Sequence, residues 1–414
     1  MGSRQAGLTT GAGSATANAA PSRGRVDRSD ALATQIVLLI GTTKGIFTFR
    51  SNEGRRDWQM TGPHLGGWEV YSLLGDSRDG PRILAGTHHQ SGGATIQVSE
   101  DFGANWRPVE EGPRFPPQRE FDFQKFAWVP GESGEPRQWT MRRIWQLVPG
   151  HASQPDTFYA GCEDASLFVS HDRGETWREV DALTKHPTRP QWGPGAGGMG
   201  LHTILVDPDN ARRIWVAASS VGVFRTDNGG ETWVTRNKGL NRVATDGDDR
   251  EVGFCAHKIA LDPNASNVMY MQDHGGVNKS VDGGDTWFPI EEGLGAEGDG
   301  RFGFPICVSQ CGDLYLMPLK DSEQRVMRGG KMLVYQSIDR GESWHPVAGD
   351  FLPTSSYVNV LRDGMAVDSL DPYGVYFGTS SGELFYSLDR GDSWSSLPGR
   401  FPRITTVKTW MLES

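Results

Sequence analysis

An eight-residue pattern, Ser/Thr-x-Asp-x-Gly-x-Ser/Thr-Trp, recurs along this chain and constrains its fold more than any other feature. It reads SEDFGANW at 99–106, SHDRGETW at 170–177, TDNGGETW at 226–233, SVDGGDTW at 280–287, SIDRGESW at 337–344 and SLDRGDSW at 387–394. A degenerate copy, SNEGRRDW, ends at Trp58. The tryptophans Trp58, Trp106, Trp177, Trp233, Trp287, Trp344 and Trp394 are 48, 71, 56, 54, 57 and 50 residues apart, so only the second unit carries a long insertion. A fixed period of this size means that one supersecondary unit is repeated, each burying its faces against its neighbours.

Every unit reads alike around its copy of the pattern. A strand at 202–206 ends at the Asp207-Pro208 turn; further strands follow at 213–218 and 222–226, then the pattern, then a fourth strand from Trp233. Four short strands per unit describe a propeller blade. The 54 glycines and 24 prolines fit many strands joined by turns. The expectation is an all-β chain, a seven-bladed β-propeller of four-stranded antiparallel blades occupying 35–414. Residues 1–34, rich in Gly, Ala, Ser, Thr and Arg without hydrophobic periodicity, read as a disordered tail. The first unit, from Ile36, supplies only three strands, and 404–411 is a spare one. That C-terminal strand is expected to become the innermost strand of the N-terminal blade, which removes an open edge.

The recurring pattern has a structural explanation. Asp accepts backbone N–H groups within its own tight turn, Gly adopts a conformation other residues resist, and Trp opens the next strand and packs between blades. The motif resembles the Asp-box, or BNR, repeat of sialidases, sortilin-type receptors, xyloglucan-active glycosidases and a photosystem assembly factor. The resemblance covers about residues 36–412 and implies the fold far more than the chemistry. It also extends to single-propeller proteins labelled glycosyl hydrolases. Sialidase chemistry implies three arginines, a tyrosine nucleophile with a glutamate partner, and an acid/base aspartate. Arginines and Tyr357 are present, but no Arg-Ile-Pro segment is.

In a four-stranded blade, the links from first to second strand share a face with the boxes, and at 207–212, 262–267 and 368–372 they are short. The opposite face receives the long segments 108–140, 181–200, 238–253, 291–300, 320–331 and 350–356. Long loops on a rigid scaffold are where binding and catalysis concentrate, so the site is expected there. His202 and His257 each stand five residues before a turn aspartate on successive innermost strands. With Glu69, Tyr357 and Asp363 they form the expected catalytic set. His64, His88, Arg142, Arg143, Asp273, Arg362 and Phe302 are expected to bind substrate, with Phe121, Phe123, Phe126 and Trp128 as apolar walls. Clustered imidazoles suit a divalent transition metal, for which His89, His202, His257 and His274 are the candidate ligands. They also suit metal-free acid/base work, or hydrogen bonding to backbone around the channel.

These features point to an enzyme with a His/Arg-rich pocket, of glycoside-hydrolase-like type and potentially metal-assisted. The alternative is a non-catalytic binding or assembly propeller. Guanidinium groups favour a small-molecule or glycan ligand carrying an anion. The net charge of −10 argues against a nucleic-acid partner. No run of eighteen apolar residues exists to span a membrane as a helix. Four cysteines, Cys162, Cys255, Cys307 and Cys311, are too few for a disulfide scaffold and read as free thiols in a reducing, cytoplasmic compartment.

Overall fold

The computed structural model describes residues 34–115, 141–240, 251–295, 301–347 and 355–412, residues 2 and 353, and the backbone of the short strands Glu120–Phe121 and Arg137–Gln138. The side chain of Phe121, the residues Phe123, Phe126 and Trp128, and all but the end of the expected tail lie outside them.

Seven four-stranded antiparallel sheets follow one another around an axis. Blade 1 has the order Ile404–Leu412, Gln35–Thr42, Gly45–Asn52, Gln59–His64 from the inside out. The C-terminal strand therefore closes the ring, paired along its length from Gln35↔Leu412 to Thr42↔Ile404. Blades 2 to 7 each run in sequence order from innermost strands at Glu69–Asp76, Ile144–Pro149, Leu201–Asp207, Ala256–Asp262, Gly303–Val308 and Met365–Val367.

A blade has two faces, and each is covered by a neighbouring blade. Middle strands therefore read as continuous apolar runs, such as FYAGC at Phe158–Cys162, which is buried throughout. The core is correspondingly divided into one cluster per blade interface. Val37, Leu39, Val70, Leu73 and Trp410 join blades 1 and 2; Tyr270, Ile306, Leu316 and Trp344 join blades 5 and 6. Blades 7 and 1 meet through Phe49, Tyr376, Leu384 and Ile404. The apolar mass thus lies between blades and leaves the axis to polar groups.

The boxes form one repeated turn. In six copies the box hydroxyl accepts the N–H of the box glycine at 2.8–2.9 Å. The carboxylate, or the amide oxygen of Asn228, accepts the N–H four residues on at 2.8–3.0 Å. Gly103, at φ +93, occupies the left-handed region this turn requires. Trp287, Trp344 and Trp394 reach back to carbonyls of the preceding blade, on Arg236, Ile290 and Val347.

The innermost strands share a second device at their opposite ends. Pairing slips by one residue at Tyr71, Trp145, His202 and His257, at Thr405 in blade 1, and across Phe304-Pro305 in blade 6. Such bulges re-aim a side chain and are frequent beside functional sites. Outside blade 1, each of these residues stands five positions before the residue that ends its strand or begins its turn: Asp76, Gly150, Asp207, Asp262 and Ser309. Asp363 stands at the same spacing from Asp368 in blade 7.

Candidate functional site

The bulged register converges on a pocket of about 290 Å³ at the channel mouth, on the face away from the boxes. Tyr71, Trp145, His202, Phe304, Asp363 and Thr405 all line it. Between them stand Glu69 and four arginines: Arg143, Arg325, Arg362 and Arg403.

Three of the arginines, Arg143, Arg325 and Arg362, are held by stacking and by carbonyl or hydroxyl groups. Arg143 lies over Tyr71 and Trp145, 4.8 and 5.5 Å from the ring centres. Arg362 lies 5.1 Å over Phe304 and donates to Ser219 Oγ at 3.1 Å; its buried Nε has no acceptor among the described residues. Arg325 donates to the Ser322 carbonyl at 2.7 Å. Among the described residues, no carboxylate forms an ion pair with any of the four.

Asp363 is bound differently. Its Oδ1 accepts Lys258 Nζ and Lys408 Nζ, each at 2.7 Å, in the channel beneath the pocket. Burial alone raises a carboxyl pKa, but the two ammonium groups outweigh it and hold Asp363 far below the usual range. Asp363 is a permanent anion already more than neutralised by its partners. Glu69 is thus the pocket's carboxylate without a cationic clamp; it pairs across the sheet with His88, whose Nδ1 lies 4.0 Å from Glu69 Oε2. A further carboxyl, Glu163, sits behind the wall, where Trp145 Nε1 donates to it at 2.6 Å. Burial raises its pKa, with the Trp145 hydrogen bond acting the other way.

Of the expected site residues, the structure brings Glu69, Arg143, His202, Arg362 and Asp363 into this pocket. His202 is fully engaged, however. Its Nε2 meets the Ala256 carbonyl at 2.9 Å and its Nδ1 meets Thr203 Oγ1 at 3.2 Å. Burial, then the nearby Arg362 charge, hold it neutral, well below its ordinary pKa. It belongs to a ring of stitches between innermost strands. Ser72 donates to the Ile144 carbonyl at 3.0 Å, Thr405 to the Val70 carbonyl, and His257 Nδ1 meets the Gly303 carbonyl at 2.6 Å.

Other expected residues are placed away from the pocket. His64 bonds Thr61 and lies beside the box of blade 2, near Gly103. His89 packs on Trp68 and bonds Ser91. Arg142 is exposed outside the lining, and Tyr357, 67% exposed, stands outside it as well. Asp273 shapes its own turn, accepting the N–H groups of Gly275 and Gly276 at 2.7 and 2.6 Å; burial raises its pKa to about 6. Phe302 lies behind Phe304, with ring centres 5.4 Å apart, and Phe304 forms the wall.

His257 and His274 do meet, at 5.6 Å between ring centres, but their third companion is Cys255 rather than His89 or His202. Burial raises the Cys255 thiol, and hydrogen bonds with His257 and Ser220 more than reverse this, to about 7. All four cysteines are free. No helix among the described residues is long and apolar enough to cross a membrane.

Tyr71, Trp145, Arg325 and Arg403 carry much of the pocket, though they were not among the expected site residues. The spacing that singles out His202 and His257, five residues before a turn aspartate, also finds Tyr71 before Asp76, whereas Trp145 stands before Gly150 and carries no such mark. Arg325 and Arg403 sit on links with no periodic signal.

No protein-family model matches the chain. A stretch of 79 residues, 19% of this chain, is 32% identical to the oligoxyloglucan-reducing end-specific xyloglucanase of Emericella nidulans, and it covers 9% of that protein. Among solved structures, the GH74 xyloglucanase from Xanthomonas campestris superposes with a TM-score of 0.58 at 15% identity, over 91% of this chain and 52% of that one. An ancestral GH74 enzyme gives 0.51 at 15% identity, over 83% and 38%. A putative 6-phosphogluconolactonase from Bacteroides fragilis gives 0.50 at 11%, over 91% and 98%. The chain spans about half the length of the first xyloglucanase structure. At these identities the likeness is one of fold.

Proposed function

We propose that the channel-mouth pocket binds a sugar-sized ligand bearing a carboxylate or phosphate, and that the protein is a hydrolase of glycoside-hydrolase type. The observation that carries this reading is the convergence of Arg143, Arg325, Arg362 and Arg403 on a cavity whose other charged lining residues, among the described residues, are Glu69 and the lysine-clamped Asp363. Guanidinium groups grip planar oxyanions bidentately. The aromatic rings Tyr71, Trp145 and Phe304 offer faces to the apolar side of a sugar. The volume of about 290 Å³ suits one or two sugar units. The fold shared with xyloglucanases is consistent with glycan hydrolysis.

Glycoside hydrolysis uses two carboxyl groups in unlike states. Asp363, locked as an anion, suits the stabilising or nucleophilic role and is unsuited to donating a proton. Glu69 is the candidate proton-transfer group. The lysine clamp on Asp363 also favours a second reading, a binding propeller without turnover, because it leaves Glu69 as the sole unclamped carboxylate lining the pocket among the described residues.

A panel of aryl glycosides with neutral, uronic-acid and phosphorylated sugars tests the proposal. Cleavage restricted to the anionic members is expected, with kcat lowered by about 10²–10⁴ in Glu69→Gln. Cleavage indifferent to Glu69, or confined to neutral sugars, overturns the assignment. Anion binding without cleavage of any member favours the binding propeller.

A further inference from the structure

Blade 5 carries a cluster that the arginine pocket does not use. Cys255 lies just before the innermost strand Ala256–Asp262, His257 is the bulged residue of that strand, and His274 begins the turn after Ala265–Asp273. The backbone ties these two places together, since the His274 N–H donates to the Cys255 carbonyl at 3.0 Å. One sulfur and two ring nitrogens then lie within 4.8 Å of one another.

We propose that Cys255, His257 and His274 form a binding site for one divalent transition ion of the zinc class. Thiolate and imidazole are the donors that such an ion prefers over carboxylate and carbonyl oxygen. A tetrahedral zinc with Zn–N of about 2.0–2.1 Å and Zn–S of about 2.3 Å separates its donors by roughly 3.3–3.6 Å. The cluster, with its donors all within 4.8 Å of one another, is at most slightly wider than that and within reach of small side-chain rotations. His257 Nδ1 is already committed to the Gly303 carbonyl at 2.6 Å. That bond fixes the ring and leaves Nε2 as the donor, the outer-shell arrangement typical of metal-bound histidine. Phe302 packs against both imidazoles, at 5.2 and 5.1 Å, and Phe304 against His257 at 5.0 Å, so the site has a dry wall. Three protein donors leave a fourth position for water or an anion. The site does not depend on the pocket's ligand or on hydrolysis.

The test uses the full chain. Purified without chelator and dialysed against zinc, it should hold one equivalent by elemental analysis. Chelator-treated protein titrated with Co²⁺ should develop the near-ultraviolet thiolate-to-cobalt band. Cys255→Ser should abolish that band, and His274→Ala, at a half-exposed position, should weaken zinc binding by at least about tenfold. Melting curves establish that each variant is folded, and His274→Ala stands in if Cys255→Ser is not. A wild-type protein that binds neither ion overturns the proposal. So does a cobalt band that survives Cys255→Ser.

Discussion

Single residues in this protein divide by which end of the blade they occupy. At the box end, carboxylates are spent on turns. The amides of Asn105 and the hydroxyl of Ser99 hold Asp101 down to about 2. At Asp339, burial acts upward but the Ser337 and Ser343 hydroxyls outweigh it, again to about 2. Asp172, Asp282 and Asp389 are lowered in the same way. A lowered folded pKa stabilises above the unfolded value near 3.8 and is lost as pH falls through the folded one. The boxes' own contribution should therefore be constant from pH 7 to about 5 and be lost between about 4 and 2, so the acid limb of the melting-temperature profile should be less steep in Asp339→Asn. An acid limb that is unchanged in that variant would remove the boxes from the explanation. At the mouth end, His202 holds the Ala256 carbonyl, so His202→Ala should cost about 1–3 kcal/mol by leaving a buried acceptor unpaired. Urea titration measures this directly; an unchanged midpoint would show that water replaces the imidazole.

At the scale of the element, the blade interface is the unit of stability. Trp344, 1% exposed, fills the boundary between blades 5 and 6, and Trp344→Ala should cost about 3–5 kcal/mol. The seam between blades 7 and 1 has an added tie. Arg55 Nη1 meets Asp368 Oδ2 at 2.9 Å with both side chains buried, and Arg55 also caps the Pro372 carbonyl. Arg55→Ala should destabilise by about 3–5 kcal/mol, because it removes the cation from a buried carboxylate and leaves it only the hydrogen bonds from Leu370, Gly374 and Tyr376. Replacing both partners should cost less than replacing Arg55 alone. Equal losses in the single and double variants, read from denaturant curves, would contradict that account. The strands and boxes were legible because the repeated motif and its turn chemistry are local. The Arg55 tie was not, since its partners are separated by 313 residues and neither has a pattern.

For the whole molecule, the ring closure follows from counting strands, and the face that carries the pocket follows from loop lengths. Deleting 404–414 should strip the innermost strand from blade 1, expose the edge of Gln35–Thr42 and yield insoluble protein; a truncated chain with an unchanged melting temperature would contradict closure. The composition of the pocket was only half legible. Glu69, Arg143, Arg362 and Asp363 were read from the face they were placed on, whereas the division of labour between them was hidden. Nothing local says that Lys258 and Lys408, from blades 5 and 1, clamp Asp363 and leave the arginines without a carboxylate ion pair among the described residues. Those arginines are the central claim, and calorimetric titration of the intact protein with a hexuronate and with the matching neutral hexose tests it most directly. Saturable binding of the hexuronate alone is predicted, weakening with salt, lowered at least about tenfold in Arg143→Ala, and unaffected in Asp282→Ala on the opposite face. Equal binding of the neutral sugar, or loss of hexuronate binding in a stable Asp282→Ala protein with Arg143→Ala unaffected, would contradict it.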